Sequence, residues 1–584
     1  MKRTIESLTP PADKQVMWLD ISQEVKQLKA YINGEWVVVN DDTKNNEEIV
    51  NKVLEKIDNV LDIMSYGVSW KPNVADPKVT RVGNMSYHRT LPIQNNMRGC
   101  IAQMKDGVKI KYFLDPTDWR WREDPRGSVL KNQELITQDV EAGIYRITNN
   151  IFSTLQYENQ WIRLQGIIPC QVIDIDTKVN EATIQIEDGY NDGELPNMGD
   201  VELGAVLNGY DGEVMVLVPE FWIKSWDTDT RREVRISPSK IDDTWEHQPR
   251  ILISPYHDTV LNTVPENMGY LSTLEVGSAI SVVNTNDYCR GGNNDPSYDK
   301  YITSDPFRTL LGKARTVLSR AEMRASCRKS GKEMLSYLQY KRILYWLYVI
   351  EYANFNCQDD FDSELSLEGF KTGGLGPGVT LSPRYVTQTF IDAWEAYNNN
   401  GPLVPNGYTN TIGNSTYLIP IRIDIDTSYE LDVPRWHGIE NPFGDIMYTV
   451  DGIIINVPGK IEGNRYGDYG EVYVTDDPSL YNDTDYSKMK LAGIEIRERG
   501  FIKEWDLGNT AEIIPRLIGG NTTKYKCDYN RTNRTGLIEL QVGGSITDHM
   551  NAGLGFFYAN YNTNGTSFDN CGFRSSCVVD KKSS

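Results

Sequence analysis

The closing forty or so residues constrain this chain most. Gly543-Gly544-Ser545 is followed by Asn551-Ala552-Gly553-Leu554-Gly555-Phe556-Phe557-Tyr558, and then by Asn570-Cys571-Gly572-Phe573-Arg574. Paired glycines, an Ala-Gly step and abundant Asn specify tight turns, because Gly and Asn accept backbone angles that other residues resist. Among the apolar anchors Phe556, Phe557 and Phe568 stand Asp548, His549, Asn551, Tyr558, Asn560, Tyr561, Asn562 and Asn564. Alternating anchors and polar tips predict one set buried in a sheet and the other displayed to solvent. These eight residues are the candidate ligand-binding set.

Size and charge bound the rest. A chain of 584 residues exceeds one ordinary core, so two to four domains are expected. With 39% hydrophobic and 24% charged residues the composition is that of a soluble folded protein. The balance of 81 acidic against 60 basic residues, a net −21, repels phosphate backbones and argues against general nucleic-acid binding. Met1-Lys2-Arg3-Thr4-Ile5-Glu6 leads into no apolar stretch, so no signal peptide is expected. The longest apolar run, Ile343-Leu344-Tyr345-Trp346-Leu347-Tyr348-Val349-Ile350, is too short to cross a bilayer and reads as a buried helix. The eight cysteines form no CxxC pair, which suits reduced, buried thiols in a protein assembled inside a cell. The 33 Tyr and 13 Trp suit surfaces that bind through flat contact area and hydrogen bonds.

Along the chain, Asn33-Gly34 turns a hairpin between Ala30-Tyr31-Ile32 and Glu35-Trp36-Val37-Val38-Val39. A helix is predicted over 45–64, with Val50, Leu54, Ile57, Leu61 and Met64 at coiled-coil spacing. Its Leu and Ile positions favour three or four strands, with three preferred; docking of the helix on its own domain is the equal alternative. Residues 1–65 thus form an attachment or oligomerisation segment. Within 127–200, Trp161-Ile162-Arg163-Leu164-Gln165-Gly166, Cys170-Gln171-Val172-Ile173-Asp174-Ile175-Asp176 and Ala182-Thr183-Ile184-Gln185-Ile186-Glu187 alternate as half-buried strands of a small barrel or sandwich. Ser319 with Glu322, and Ser336 with Gln339, are capping boxes that open helices.

No catalytic constellation is evident. The five histidines (88, 247, 257, 437 and 549) form no HExxH, and neither a GxSxG elbow nor a P-loop is present. Asp359, Asp360 and Asp362, and the pair Asp424 and Asp426, read as acidic loops or a polar strand face. No EF-hand loop occurs, and no cofactor is called for.

The closing segment resembles the end of a C-type lectin-like domain, in the version shared by formylglycine-generating enzymes and the variable receptor-binding proteins of tailed phages. The likeness continues in order through Ser65-Tyr66-Gly67-Val68-Ser69-Trp70, Tyr210-Asp211-Gly212-Glu213, Glu351-Tyr352-Ala353-Asn354-Phe355-Asn356, Gly438-Ile439-Glu440-Asn441-Pro442-Phe443-Gly444-Asp445-Ile446 and Gly500-Phe501-Ile502-Lys503-Glu504. It covers most of 66–120 and 201–579, which implies that 66–126 and 201–584 are two parts of one domain and that 127–200 is an insertion. It implies an α+β fold with the inserted all-β module, and loops that could hold structural calcium. The enzymes of this fold carry reactive cysteines just upstream of the closing Gly-Phe-Arg strand. Here 554–570 contains none, and Cys571 and Cys577 read as structural. The expectation is therefore a non-enzymatic virion adhesin, similar to fibre proteins of crAss-like and related Bacteroides-infecting phages. It would be assembled in the host cytoplasm and be homo-oligomeric. Its partners would be other virion proteins and a host-surface glycan or glycoprotein, with no membrane insertion.

Overall fold

The computed structural model describes the strands at 4–7, 17–20, 27–32 and 35–38, and residues 60–579 apart from 135, 142, 149–159, 177, 191–197, 229–231, 284–287, 293–311, 380–403, 405, 423–427, 460–468 and 566–570. Strands dominate, with a few helices between them. No helix among these residues is long and apolar enough to cross a membrane.

At the N-terminus Thr4–Ser7, Met17–Asp20, Gln27–Ile32 and Glu35–Val38 form one sheet in chain order. Ile32 pairs with Glu35, so the two strands of the expected hairpin are paired, while Asn33-Gly34 lies outside the described residues. Of the helix predicted over 45–64, only the last turn is described; Val50, Leu54 and Ile57 lie outside the described residues. There Leu61 is buried, and the Ser65 backbone N–H and hydroxyl both donate to its carbonyl. Asp62 pairs with Arg235 at 2.6 Å. This end of the seam therefore packs on its own domain.

The insertion owns a separate core. Its seven strands run in the order Ile136–Glu141, Ile144–Thr148, Glu181–Ile186, Ile168–Asp176, Trp161–Leu164, Met198–Leu203 and Val129–Glu134. The first and last of these, at the two edges of the sheet, are consecutive in the chain and flank residue 135. Ile147, Ile162, Leu164, Cys170, Val172, Ile184 and Val201 fill that core. Entry and exit meet where Leu203 N–H donates to Ser128 O at 2.8 Å. The module meets the body through contacts that include Arg120 over Trp161 at 4.3 Å, Arg163 over Trp121 at 3.8 Å and the Arg120–Glu187 ion pair at 2.5 Å.

The body wraps a large core around one helix. Tyr337–Gln339, Tyr340–Trp346 (a wider π-type stretch) and Leu347–Tyr352 run on as a single rod, opened by the Ser336–Gln339 capping box. Every side chain on it is buried, so its three charges need partners. Lys341 lies among the rings of Tyr337, Tyr340 and Tyr345, and Arg342 donates to Asp476 at 2.5 Å. Glu351 accepts from Asn414 Nδ2 (2.9 Å), Lys371 Nζ (2.6 Å) and Trp436 Nε1 (2.9 Å), with His437 Nε2 also at 2.9 Å.

Three sheets face this rod. One carries Tyr66–Trp70 between Arg232–Ser237 and Thr80–Gly83, and another carries Glu213–Val218 between Ile251–Ile253 and Arg98–Gln103. The closing strand Ser575–Val578 enters that second sheet between Ile251–Ile253 and Glu333–Met334. Of Gly572-Phe573-Arg574, expected as a strand, only Gly572 lies in one, Cys571–Gly572, while Phe573 and Arg574 span the gap to Ser575–Val578. Arg574 is the reason. Its buried guanidinium donates to the carbonyls of Ser254, Glu440 and Asn441 and to the Tyr448 hydroxyl, pulling the backbone out of register. The third sheet, of ten strands, holds Gly536–Gly543, Gly553–Asn562, Tyr529–Thr532 and Gly500–Leu507 side by side. It rolls until its ends approach: a Cβ on Gly493 in Lys490–Ile496 would stand 2.8 Å from Ile514 in Ile513–Ile518.

Candidate functional site

Gly553–Asn562 runs antiparallel to Gly536–Gly543 and parallel to Tyr529–Thr532. Phe557 and Ala559 enter the main core. Phe556 and Tyr558 turn to the other side, into a cluster with Met447 and Cys571 on which Tyr529 and Tyr561 pack. The two phenylalanines therefore anchor opposite sides, as neighbours in a strand must, and do not form the single anchor set expected. Tyr558, expected as a displayed tip, is 5% exposed. The reason is that the sheet is covered on both sides here, so both sets of a period-two strand are buried.

Asp548 also departs from the expectation of display, at 2% exposure. Its Oδ2 accepts from the Ser545 backbone N–H and hydroxyl, both at 2.8 Å, and its Oδ1 accepts from Arg531 Nη1 at 3.1 Å. The carboxylate is spent on closing the turn. His549, Asn551, Asn560, Tyr561 and Asn562 are half-buried, and Asn564 is exposed. Asn562 Nδ2 pins the strand edge through the carbonyls of Thr535 (3.0 Å) and Leu537 (3.3 Å). Asn560 Nδ2 donates to the Tyr558 hydroxyl at 3.0 Å, while its Oδ1 has no donor. His549 holds φ +48°, a conformation costly for a residue with a Cβ. Phe568, Asp424 and Asp426 lie outside the described residues.

Three residues that the sequence reading passed over complete the face. Phe501 pairs across the sheet with Tyr529, their rings 5.2 Å apart and edge to face. Arg531 sits opposite Tyr558, its guanidinium 5.1 Å from that ring. Tyr558 leads on to Tyr561, with ring centroids 5.5 Å apart. Burial, together with Cys571 and Tyr558, pushes the Tyr561 phenol up, so it stays a neutral hydroxyl. The result is a rim of half-buried rings around one guanidinium, with Asn560 and Asn564 at its border.

The rim stands on a fixed base. Asp528 Oδ1 accepts from Gly555 N–H at 3.0 Å, and the Leu554 carbonyl takes hydrogen bonds from Tyr340 (3.1 Å) and Lys341 (3.3 Å). Burial pushes Asp528 up to about 7 and Lys341 down to about 7, each opposed by the other's charge. A Cβ on Gly555 would lie 2.0 Å from Asp528 Oδ2, which explains the spacing of Gly553 and Gly555.

In the adjoining strand Glu539 is buried, and Gln541 Nε2 donates to its Oε1 at 2.7 Å. Arg320 stands 3.9 Å from its Oε2, too far for a hydrogen bond. Burial pushes Glu539 up to about 8, with Arg320 opposing and Asp483 and Asp451 adding to the rise. The unfolded carboxyl titrates near 4.5, so the folded state keeps a proton that the unfolded chain loses. This group therefore favours folding less and less as pH rises from about 4.5 through about 8. Glu539→Gln is expected to match the wild-type melting temperature at about pH 5 and to exceed it by several degrees at about pH 9. Parallel wild-type and variant curves across that range would contradict the assignment.

Among the described residues no three of His, Cys, Asp or Glu converge to hold a metal. Asp359 accepts from Asn354 Nδ2 at 3.0 Å and Asp362 from Glu364 N–H at 2.9 Å, so both organise their own loop. Cys571 is fully buried and Cys577 half-exposed on its strand. The geometry provides ring faces, amides and one guanidinium on a rigid sheet, which is the equipment of recognition. Comparison of the chain with protein families, with curated proteins and with solved structures finds no match.

Proposed function

We propose that this chain is a virion adhesin of a tailed phage that binds a host-surface glycan or glycoprotein through the rim formed by Phe501, Tyr529, Arg531, Asn560 and Tyr561. The observation that carries the reading is the half-buried ring cluster beside amides, held from below by Asp528, Lys341 and the central helix. Rings present flat area to sugar faces, and amides reach hydroxyls, at small entropic cost because the side chains are already fixed. The C-type lectin-like fold is part of this proposal, as is oligomerisation, with a trimer preferred, through residues 1–65. Several copies would turn weak single contacts into firm attachment by raising effective concentration.

Labelled protein should bind encapsulated Bacteroides cells. Tyr529→Ala and Tyr561→Ala should each reduce that binding at least about tenfold, equivalent to about 1.4 kcal/mol, without loss of fold. Trp222 supplies the control: its ring is half-buried and stacked on His247 at 4.9 Å in another sheet. Binding that survives both tyrosine changes but disappears in Trp222→Ala would move the function away from the rim. A second reading, a virion component that only clamps neighbouring subunits, draws on the exposed Leu365 and Leu367. Their loop is tied by Arg89 to the helix Met85–Thr90, near the exposed Val60 and Ile63. Leu365→Ser with Leu367→Ser should leave cell binding intact on the adhesin reading, and abolish particle assembly on this one.

A further inference from the structure

The rim carries one feature that simple ring stacking does not need. Arg531 is tethered by a single nitrogen, Nη1, to the buried Asp548 carboxylate at 3.1 Å, and its guanidinium is braced against the Tyr558 ring at 5.1 Å. Its Nε and Nη2 make no hydrogen bond among the described residues, and its side chain is 41% exposed. A guanidinium fixed at one corner and stacked on a ring has lost most of its rotamer freedom, yet keeps donors for a planar, two-oxygen acceptor. Two more arginines stand close by. Arg499 is exposed and reaches across to the Thr532 carbonyl at 2.9 Å, and the exposed Arg534 follows in the same loop. With Glu498 exposed beside Arg499 and a net charge of −21 on the chain, the surround of Arg531 repels polyanions. Such a field discourages dense polyanions and admits a ligand whose charges are sparse. Beside the arginine, the half-buried rings of Tyr529 and Tyr561 supply flat faces for sugar rings.

We infer that the ligand of this rim is an acidic saccharide with about one carboxylate per repeat, its carboxylate received by the Arg531 fork and its rings laid against Tyr529 and Tyr561. This rests on the rim being the binding face, and it adds the chemical class of what is bound there.

Calorimetry with the full chain and oligomers of polygalacturonate, alginate and hyaluronate, each beside its carboxyl-reduced counterpart, tests it. The wild type should bind at least one uronate oligomer at least about tenfold tighter than the reduced form, with affinity falling as salt rises. Arg531→Gln should lose that margin. Arg531→Lys should lose most of it, because it restores the charge without the fork. Melting curves of both variants establish that the fold survives, and should Arg531→Gln fail to fold, Arg531→Lys decides. Wild-type protein that binds none of the three uronates, or binds reduced and acidic forms alike, overturns the inference, as does Arg531→Lys with undiminished preference. Failure of the underlying reading looks different: there Tyr529→Ala and Tyr561→Ala leave binding to encapsulated cells unchanged, whatever Arg531 does.

Discussion

Gly555→Ala is expected to lower stability by more than about 3 kcal/mol, the upper end for overpacking a filled site. The added carbon would lie 2.0 Å from Asp528 Oδ2 and 3.0 Å from Tyr345 Cε2. The carboxylate has little room to retreat, because it is buried and its other oxygen holds the Gly555 N–H. Tyr345 is itself packed edge-on to Trp346 at 5.0 Å and to Trp505 at 5.8 Å. Urea unfolding measures the loss, and a double-mutant cycle locates it. Asp528→Ala combined with Gly555→Ala should be more stable than Gly555→Ala alone, since removing the carboxylate removes the clash. An unchanged unfolding midpoint in the single variant would mean that Asp528 does not press on this strand, and the rim would lose its fixed base.

Glu351→Ala should cost about 3–5 kcal/mol, the usual penalty for breaking a buried charged pair. The loss strips an acceptor from Lys371, Trp436, Asn414 and the neighbouring His437 at one stroke. Burial alone would raise the Glu351 pKa, but His437 and Lys371 outweigh it and hold the group at about 2. The sign follows. With the folded value depressed below the ordinary 4.5, the stabilisation is complete above that pH and fades as pH falls toward about 2. Wild type and variant should therefore differ most near neutrality and converge in acid. Glu351→Gln, which keeps an acceptor for the Trp436 indole, should fall between them. Equal midpoints for Glu351→Ala and wild type at neutral pH would refute the role.

Local chemistry was the readable part of this fold. Ser319 with Glu322, and Ser336 with Gln339, close capping boxes as their spacing predicts, because both partners lie within one helical turn. The alternation of Trp161–Leu164 and Glu181–Ile186 appears directly as alternating burial. What lay beyond reach was lateral. Tyr529-Asn530-Arg531-Thr532 alternates as legibly as any strand, yet nothing local places it parallel to Gly553–Asn562. Arg531 and Tyr529 therefore went unnoticed beside Tyr558. For the same reason Tyr558 and Asp548 read as displayed: a period of two tells which residues share a side, not whether a second layer covers it. Asp548 at least carried a hint, since Ser545 three residues earlier is the opening of a capped turn.

The meeting of Ser128 and Leu203 at the base of the inserted sheet has a consequence for how such a chain can change. A passenger whose two ends are already stitched together asks of its host a gap the width of one ladder rung and a few side-chain contacts. It can be exchanged or removed with little displacement of the carrier's strands, so the two parts of this protein are free to change at different rates.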